Sequence, residues 1–521
     1  MKKKLALLLA MLVLVSVFAM GCGDKNTDNG GNGGGDNESQ AGDNNQGSGE
    51  KRDDVIIYCE GVWSTLDPHG SGSSTYVNMY LANQLYEALT YVTDEGGVNP
   101  VLAKDWSISE DGRVYTFNLN EGIKFHNGEE LKASDVEFSY KRAMESPDLE
   151  TYYAPIEKVE ATGDYTVDIT LKYAFAPFPS YTANIPIVSE KFCNDNGNNL
   201  LEAECGTGPY QLVDFNMNTE CNMTRFDDYW QGPASIKDVK FKVITEGTTA
   251  TVAFESGEID FMYCYNVSAY APLEASGKYN TLCTPCLHTA NILMNNKSAP
   301  LDNVLVRRAL AHCTDRETMI EIAYEGLASP TYLMANTSCF GVTEENFVNK
   351  YPYDIEKAKE LLAEAGYPDG LNLGTMTVIG GSYHEKYAQV FQQDLSSAGV
   401  TIELQGSETA VADATAHDYV LCTMGNGFMS DFAYNASHYT PDNMSNYDNP
   451  TVTALFEEAA AEQDSDKRLE LYDQIIQIVQ DDCVNIPIFN KQIPWVWNKN
   501  LNAKPHMDNG RAYYVYEMSW N

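Results

Sequence analysis

The stretch Val98–Met144 (VNPVLAKDWSISEDGRVYTFNLNEGIKFHNGEELKASDVEFSYKRAM) constrains the fold more than any other part of this chain. It contains no obvious catalytic group and is structural punctuation in a set order. Leu102, Ala103 and Trp106 are apolar anchors, and Asp111-Gly112 is the dipeptide of a tight hairpin turn. Tyr115, Phe117 and Leu119 alternate as one face of a strand. Gly122 and Asn127-Gly128 supply two further turns. Ser134-Asp135 stands where an N-cap belongs, ahead of the helical run Val136, Tyr140 and Ala143.

At 521 residues the chain is too long for one core, and an apolar fraction of 43% can fill several. The formal charge of −40 argues against a polyanionic nucleic-acid partner. It reads as a solvated, mutually repelling surface, with a field that favours cationic ligands as the alternative.

The first residues form an export signal over 1–21. Lys2, Lys3 and Lys4 precede an apolar run, Leu5 to Met20, broken only by Ser16. The run is short for a membrane span and has no stop-transfer pattern after it. Ala19-Met20-Gly21-Cys22 resembles a lipobox, which implies lipid attachment at Cys22. Family lipoboxes usually carry Leu at the position of Ala19 and a small residue at that of Met20. From Gly23 to Asp54 the only aliphatic side chain is Ala41, so 22–54 reads as a lipidated cysteine followed by a disordered tether. A flexible coil of roughly 32 residues spans about 30 Å.

The order of turns and anchors in Val98–Met144 closely resembles the signature of the family 5 solute-binding proteins, "P-x-L-A-x-x-W … DG-x-x-Y-T-F-x-L-x-x-G-x-x-F-H-x-G-x-x-L-x-A-x-D-V". Pro100, Leu102, Ala103, Trp106, Asp111-Gly112, Tyr115 to Phe117, Leu119, Gly122, Phe125-His126, Gly128, Leu131, Ala133 and Asp135-Val136 meet it. Leu66-Asp67-Pro68, the Gly206-Thr207-Gly208-Pro209-Tyr210 turn, Asp228 to Gly232 and Pro300 to Leu310 follow in family order. Such proteins are extracytoplasmic receptors of ABC importers for oligopeptides, dipeptides, nickel and some oligosaccharides. The resemblance implies an α/β, periplasmic-binding-protein-like fold (type II, three-domain cluster C) with two lobes, a hinge and an interdomain ligand cleft. Domain I would hold 55–97, 204–288 and 489–521, domain II 98–203, and domain III 289–488. It further implies a monomer on the outer face of a bacterial cytoplasmic membrane that binds a short peptide and hands it to a permease and its ATPase. No enzymatic activity or cofactor is implied.

In peptide-binding members an aromatic-x-x-Asp segment, with Trp first, binds the peptide's α-ammonium. Phe428-Met429-Ser430-Asp431, beside Gly427, keeps that spacing with Phe in place of Trp. An ammonium enclosed in a cleft needs a carboxylate, because an unpaired buried charge costs several kcal/mol. The alternative is an exposed loop aspartate. Ser73 and Ser74 lie in a Gly/Ser loop before a helix, where free N–H groups suit a ligand carboxylate or carbonyl, or simply face water. Trp63 is an aromatic candidate for the cleft wall.

Other motifs carry less. Cys283-Thr284-Pro285-Cys286 with His288 has no second C-x-x-C or spaced His pair, as a zinc site would need. His384-Glu385 begins like a zincin motif and lacks the second His. An oligosaccharide or a nickel or metal-chelate ligand remains an alternative within the family. A secreted hydrolase is the remote one, since no nucleophile–base pair or metal set stands at usable spacing.

Overall fold

The computed structural model describes residues 52–380, 383–427, 430–507 and 512–521. The export signal, Cys22, the tether up to residue 51 and Phe428 lie outside the described residues. Asp53–Asn521 forms one compact unit.

The chain enters as strand β1 (Asp54–Cys59) and continues into helix α1 (Tyr76–Leu85). A four-stranded antiparallel sheet follows, formed by β2 (Ala103–Ile108), β3 (Val114–Leu119), β4 (Ile156–Gly163) and β5 (Thr166–Leu171) in the order β2-β3-β5-β4. Tyr115, Phe117 and Leu119 point into its core and are fully buried, as their alternation predicts. Helix α2 (Ala133–Ala143) packs on this sheet. Its N-cap is Lys132, earlier than the sequence suggests, because Asp135 acts from the third helical position. The Asp135 carboxylate accepts from Lys132 N and Glu190 N, both at 2.9 Å, so it closes a capping box and ties a second segment to the helix start.

Two family landmarks owe their residues to packing between distant segments. Asp67 of the Leu-Asp-Pro segment receives Arg142 Nη1 of α2 at 2.7 Å. In the Gly-Thr-Gly-Pro-Tyr turn, a Cβ added at Gly206 would fall 1.9 Å from the Leu85 carbonyl oxygen, so only glycine allows the turn to cross the end of α1.

Among the described residues, ten further strands complete one large sheet with β1. They are β6 (Tyr210–Asn216), β7 (Glu220–Arg225), β8 (Asp238–Val243), β9 (Phe261–Tyr263), β10 (Tyr279–Met294), β11 (Ala328–Pro330), β12 (Leu371–Ile379), β13 (Val400–Ser407), β14 (Leu421–Gly427) and β15 (Asn485–Asn498). Their order is β13-β12-β14-β10-β15-β9-β1-β8-β7-β6, with β11 added against β15. β1 runs parallel to β8 and β9, and β12 runs parallel to β13 and β14.

The long antiparallel pair β10 and β15 feeds two different cores. Cys286, Ile493, Trp495 and Trp497 pack with β1 and α1, whereas Ala290, Ile292, Ile486, Ile488 and Phe489 pack against helices α3 (Arg316–Tyr324) and α4 (Tyr383–Ser397). The β10–β15 ladder loses register between Pro285 and Thr289, where the cores change over. A bulge at that point lets a paired ribbon bend without unpairing its ends. The four-stranded sheet region also touches the later part of the chain, as where Ala176 N donates to the Ala460 carbonyl at 2.7 Å.

Candidate functional site

The strand directions locate the site. β14 is antiparallel to β10 and ends with Gly427 opposite His288; β9 is antiparallel to β15 and ends with Tyr263 opposite Trp495. Parallel strands of both halves therefore aim their carboxyl ends at the break in the ladder, and open α/β sheets bind ligands in the crevice outside those ends.

The floor of this crevice is aromatic and basic. Lys491 of β15 places its ammonium 4.2 Å from the centroid of the Tyr383 ring and 6.0 Å from that of Tyr324. Tyr324 and Tyr383 meet edge to face at 5.9 Å, and Tyr263 bonds Tyr324 through their hydroxyls. Burial pushes the Lys491 amine down to about 8. Burial first, then the charge of Lys491, hold the His288 imidazole well below its usual range, and the same causes push His384 down to about 3. Both histidines are therefore neutral at pH 7. Thr289 and Asn490 fix the floor from behind, with Thr289 Oγ1 donating to Asn490 Oδ1 at 2.6 Å.

Gly425 keeps the floor open. A Cβ there would lie 2.5 Å from His288 Cε1 and 3.2 Å from the Tyr383 hydroxyl. Gly425→Ala should displace the imidazole, lower stability by about 1–3 kcal/mol and weaken ligand binding, as urea denaturation and calorimetric titration would read out.

The structure gives the residues singled out from sequence varied surroundings. Gly427 is exposed at the end of β14. Asp431 is 6% exposed, and its carboxylate accepts from the Tyr472 hydroxyl at 2.6 Å and Ala433 N at 2.9 Å, with Arg468 at 3.6 Å. Burial pushes its carboxyl up, and the Arg468 charge opposes that. A ligand ammonium would have to displace these partners. Trp63 is buried against Phe215 at 5.7 Å, Ser73 is buried, and Ser74 is exposed. In the Ser73 loop, Gly72 N is already bound by Asp148 Oδ2 at 2.6 Å. Among the described residues no hydrogen bond or ring contact links Trp63 or Ser73 to Asp431.

Lys491 escaped the sequence reading although a signal was present: it is the only charged residue in the fourteen-residue β15. Ten of the eleven cysteines after Cys22 are buried, Cys283 is half-buried, and none of the eleven forms a disulfide. Among the described residues no three His, Cys, Asp or Glu side chains converge as metal ligands. A separate cavity of about 380 Å³ is lined by Tyr86, Glu87, Tyr91, His506, Tyr514 and Glu517. Its polar groups serve packing: Glu87 accepts from Tyr229, Thr207 and Trp230, and His506 bridges Asp94 and Glu517.

A model of the bacterial extracellular solute-binding proteins, family 5, matches residues 97–467. The chain belongs to this family. The glutathione-binding protein GsiB of Salmonella paratyphi A is 30% identical over 354 residues, 67% of this chain and 68% of that protein. Among solved structures, HbpA2 of Haemophilus parasuis superposes with a TM-score of 0.81 at 26% identity, covering 90% of this solute-binding protein and 100% of that chain. DppA of Helicobacter pylori, solved with the peptide STSA, shares the fold with a TM-score of 0.70 at 23% identity, covering 90% and 98%. The periplasmic-binding-protein fold expected from the turn signature is therefore the fold observed.

Proposed function

We propose that this solute-binding protein is the lipid-anchored receptor of an ABC importer, which captures short peptides in the hinge crevice and delivers them to the permease and its ATPase. The convergence of parallel strand ends from both halves on one bulged strand pair carries this reading. The relative named for glutathione, itself a short peptide, supports the ligand class. The change of core along β10 and β15 supports a hinge between domains I and III. Closure around that hinge encloses the ligand, whose main chain gains sequence-tolerant hydrogen bonds from strand ends in the manner of strand addition. Gly427 borders the ligand, and Asp431, held by Arg468 and Tyr472, is a positioning residue. Trp63 and Ser73 belong to domain packing, and Ser74 faces solvent. The protein acts as a monomer, tethered through Cys22 outside the cytoplasmic membrane.

Native mass spectrometry of the chain from Asp53 onward, with thermal shift against peptide and oligosaccharide pools, tests this. Retained peptide masses and stabilisation by peptides are expected. Stabilisation by oligosaccharides alone would replace the ligand class, and no response to either pool would remove the peptide reading.

A further inference from the structure

The crevice floor holds a cation without a counter-ion. Among the described residues no carboxylate reaches the Lys491 ammonium and no hydrogen bond satisfies it; its neighbours are the faces of Tyr383 and Tyr324. Facing it from β10, at the break in the ladder, His288 has an enclosed Nδ1 with no hydrogen-bond partner. The other edge of that ring packs close on Gly425, where a Cβ would fall 2.7 Å from Nε2. Aromatic faces attract an ammonium only weakly compared with the water it gives up. His384 of α4 and Tyr324 of α3, also packed around it, bring no negative charge at neutral pH.

We propose that Lys491 is the anion anchor of the crevice: a carboxylate of the ligand docks on its ammonium, and the His288 imidazole donates a second hydrogen bond. This rests on the receptor reading above and narrows the ligand to peptides that present a carboxylate at the hinge. The net charge of −40 repels anions at a distance, but that field is screened within about 8 Å at physiological salt, whereas a charge-assisted bond in the closed crevice is not. A ligand without an anion would leave the ammonium enclosed and unpaired, so the anchor selects as well as attracts.

Three tripeptide pools distinguish the source of the carboxylate: free acids with neutral side chains, the same peptides as C-terminal amides, and amides carrying one Glu. Calorimetry on the full chain should show the free acids binding on the order of 100-fold tighter than the neutral amides. In Lys491→Met that preference should collapse, while Lys491→Arg should keep most of it. A preference for the Glu-bearing amides would assign the anchor to an acidic side chain. Equal binding of all three pools overturns the anchor and leaves the receptor reading standing. Binding of none overturns the peptide reading. The anchor is then judged on citrate: thermal stabilisation of the wild type but not of Lys491→Met keeps it, and equal responses remove it.

Discussion

Asp431→Ala should destabilise the protein by about 3–5 kcal/mol. The substitution leaves the Arg468 guanidinium, whose side chain is 13% exposed, without its carboxylate. It also strips the Tyr472 hydroxyl and Ala433 N of their acceptor in a core where Tyr472 is fully buried. Removing one member of an enclosed ion pair costs more than the pair contributes, because the survivor stays desolvated. Asp431→Asn should cost less, about 1–3 kcal/mol. Its amide oxygen still accepts from the Tyr472 hydroxyl and Ala433 N, while Arg468 loses its charge partner. Urea denaturation measures both values. Ligand titration of the Asn variant separates positioning from contact. A positioning residue leaves affinity within a few-fold, whereas a 100-fold loss at unchanged stability would make Asp431 the ligand's own ammonium partner.

The contrast between Asp431 and the hairpin at Asp111-Gly112 shows what was legible in the sequence. The hairpin, the buried face of β3 and the helix over Ile355–Glu364, capped by Asp354 through Lys357 N at 2.9 Å, depend on neighbours a few residues away. Local patterns specify such features because turn chemistry and alternation are local. The cap of α2 falls earlier than the Ser134-Asp135 pair, at Lys132, whose N–H donates to the Asp135 carboxylate, and Glu190 N adds a long-range bond to the same carboxylate. The occupied state of Asp431 depends on Arg468 and Tyr472, on helix α5 (Ser465–Asp481), and Lys491 meets Tyr324 and Tyr383 only once two cores are assembled around the hinge. Spacing along the chain carries no information about such meetings. A lone charge in a largely apolar strand is the one local sign of such a meeting.

Lys491→Met should stabilise the ligand-free protein by about 3 kcal/mol at pH 7, the cost of enclosing a protonated amine whose ordinary value lies well above the one it has in the fold. The folded protein holds this amine at about 8 against 10.5 for an unperturbed lysine. Between those values the unfolded chain keeps the proton and the folded protein does not, so folding stability from this group rises with pH across the window. Below pH 8 the folded state bears the whole cost of the enclosed charge; above 10.5 it bears none. The advantage of the Met variant should therefore be full at pH 7 and largely gone by pH 10.5. Urea denaturation of both proteins at the two pH values measures it. A gain that does not change with pH would trace to packing, and a loss would mean that the ammonium has a partner in the folded state. The expected pattern makes Lys491 a residue that costs stability when the crevice is empty and recovers it when an anion is bound. Part of the binding energy then goes into closing the hinge, and only a ligand with the matching charge supplies it.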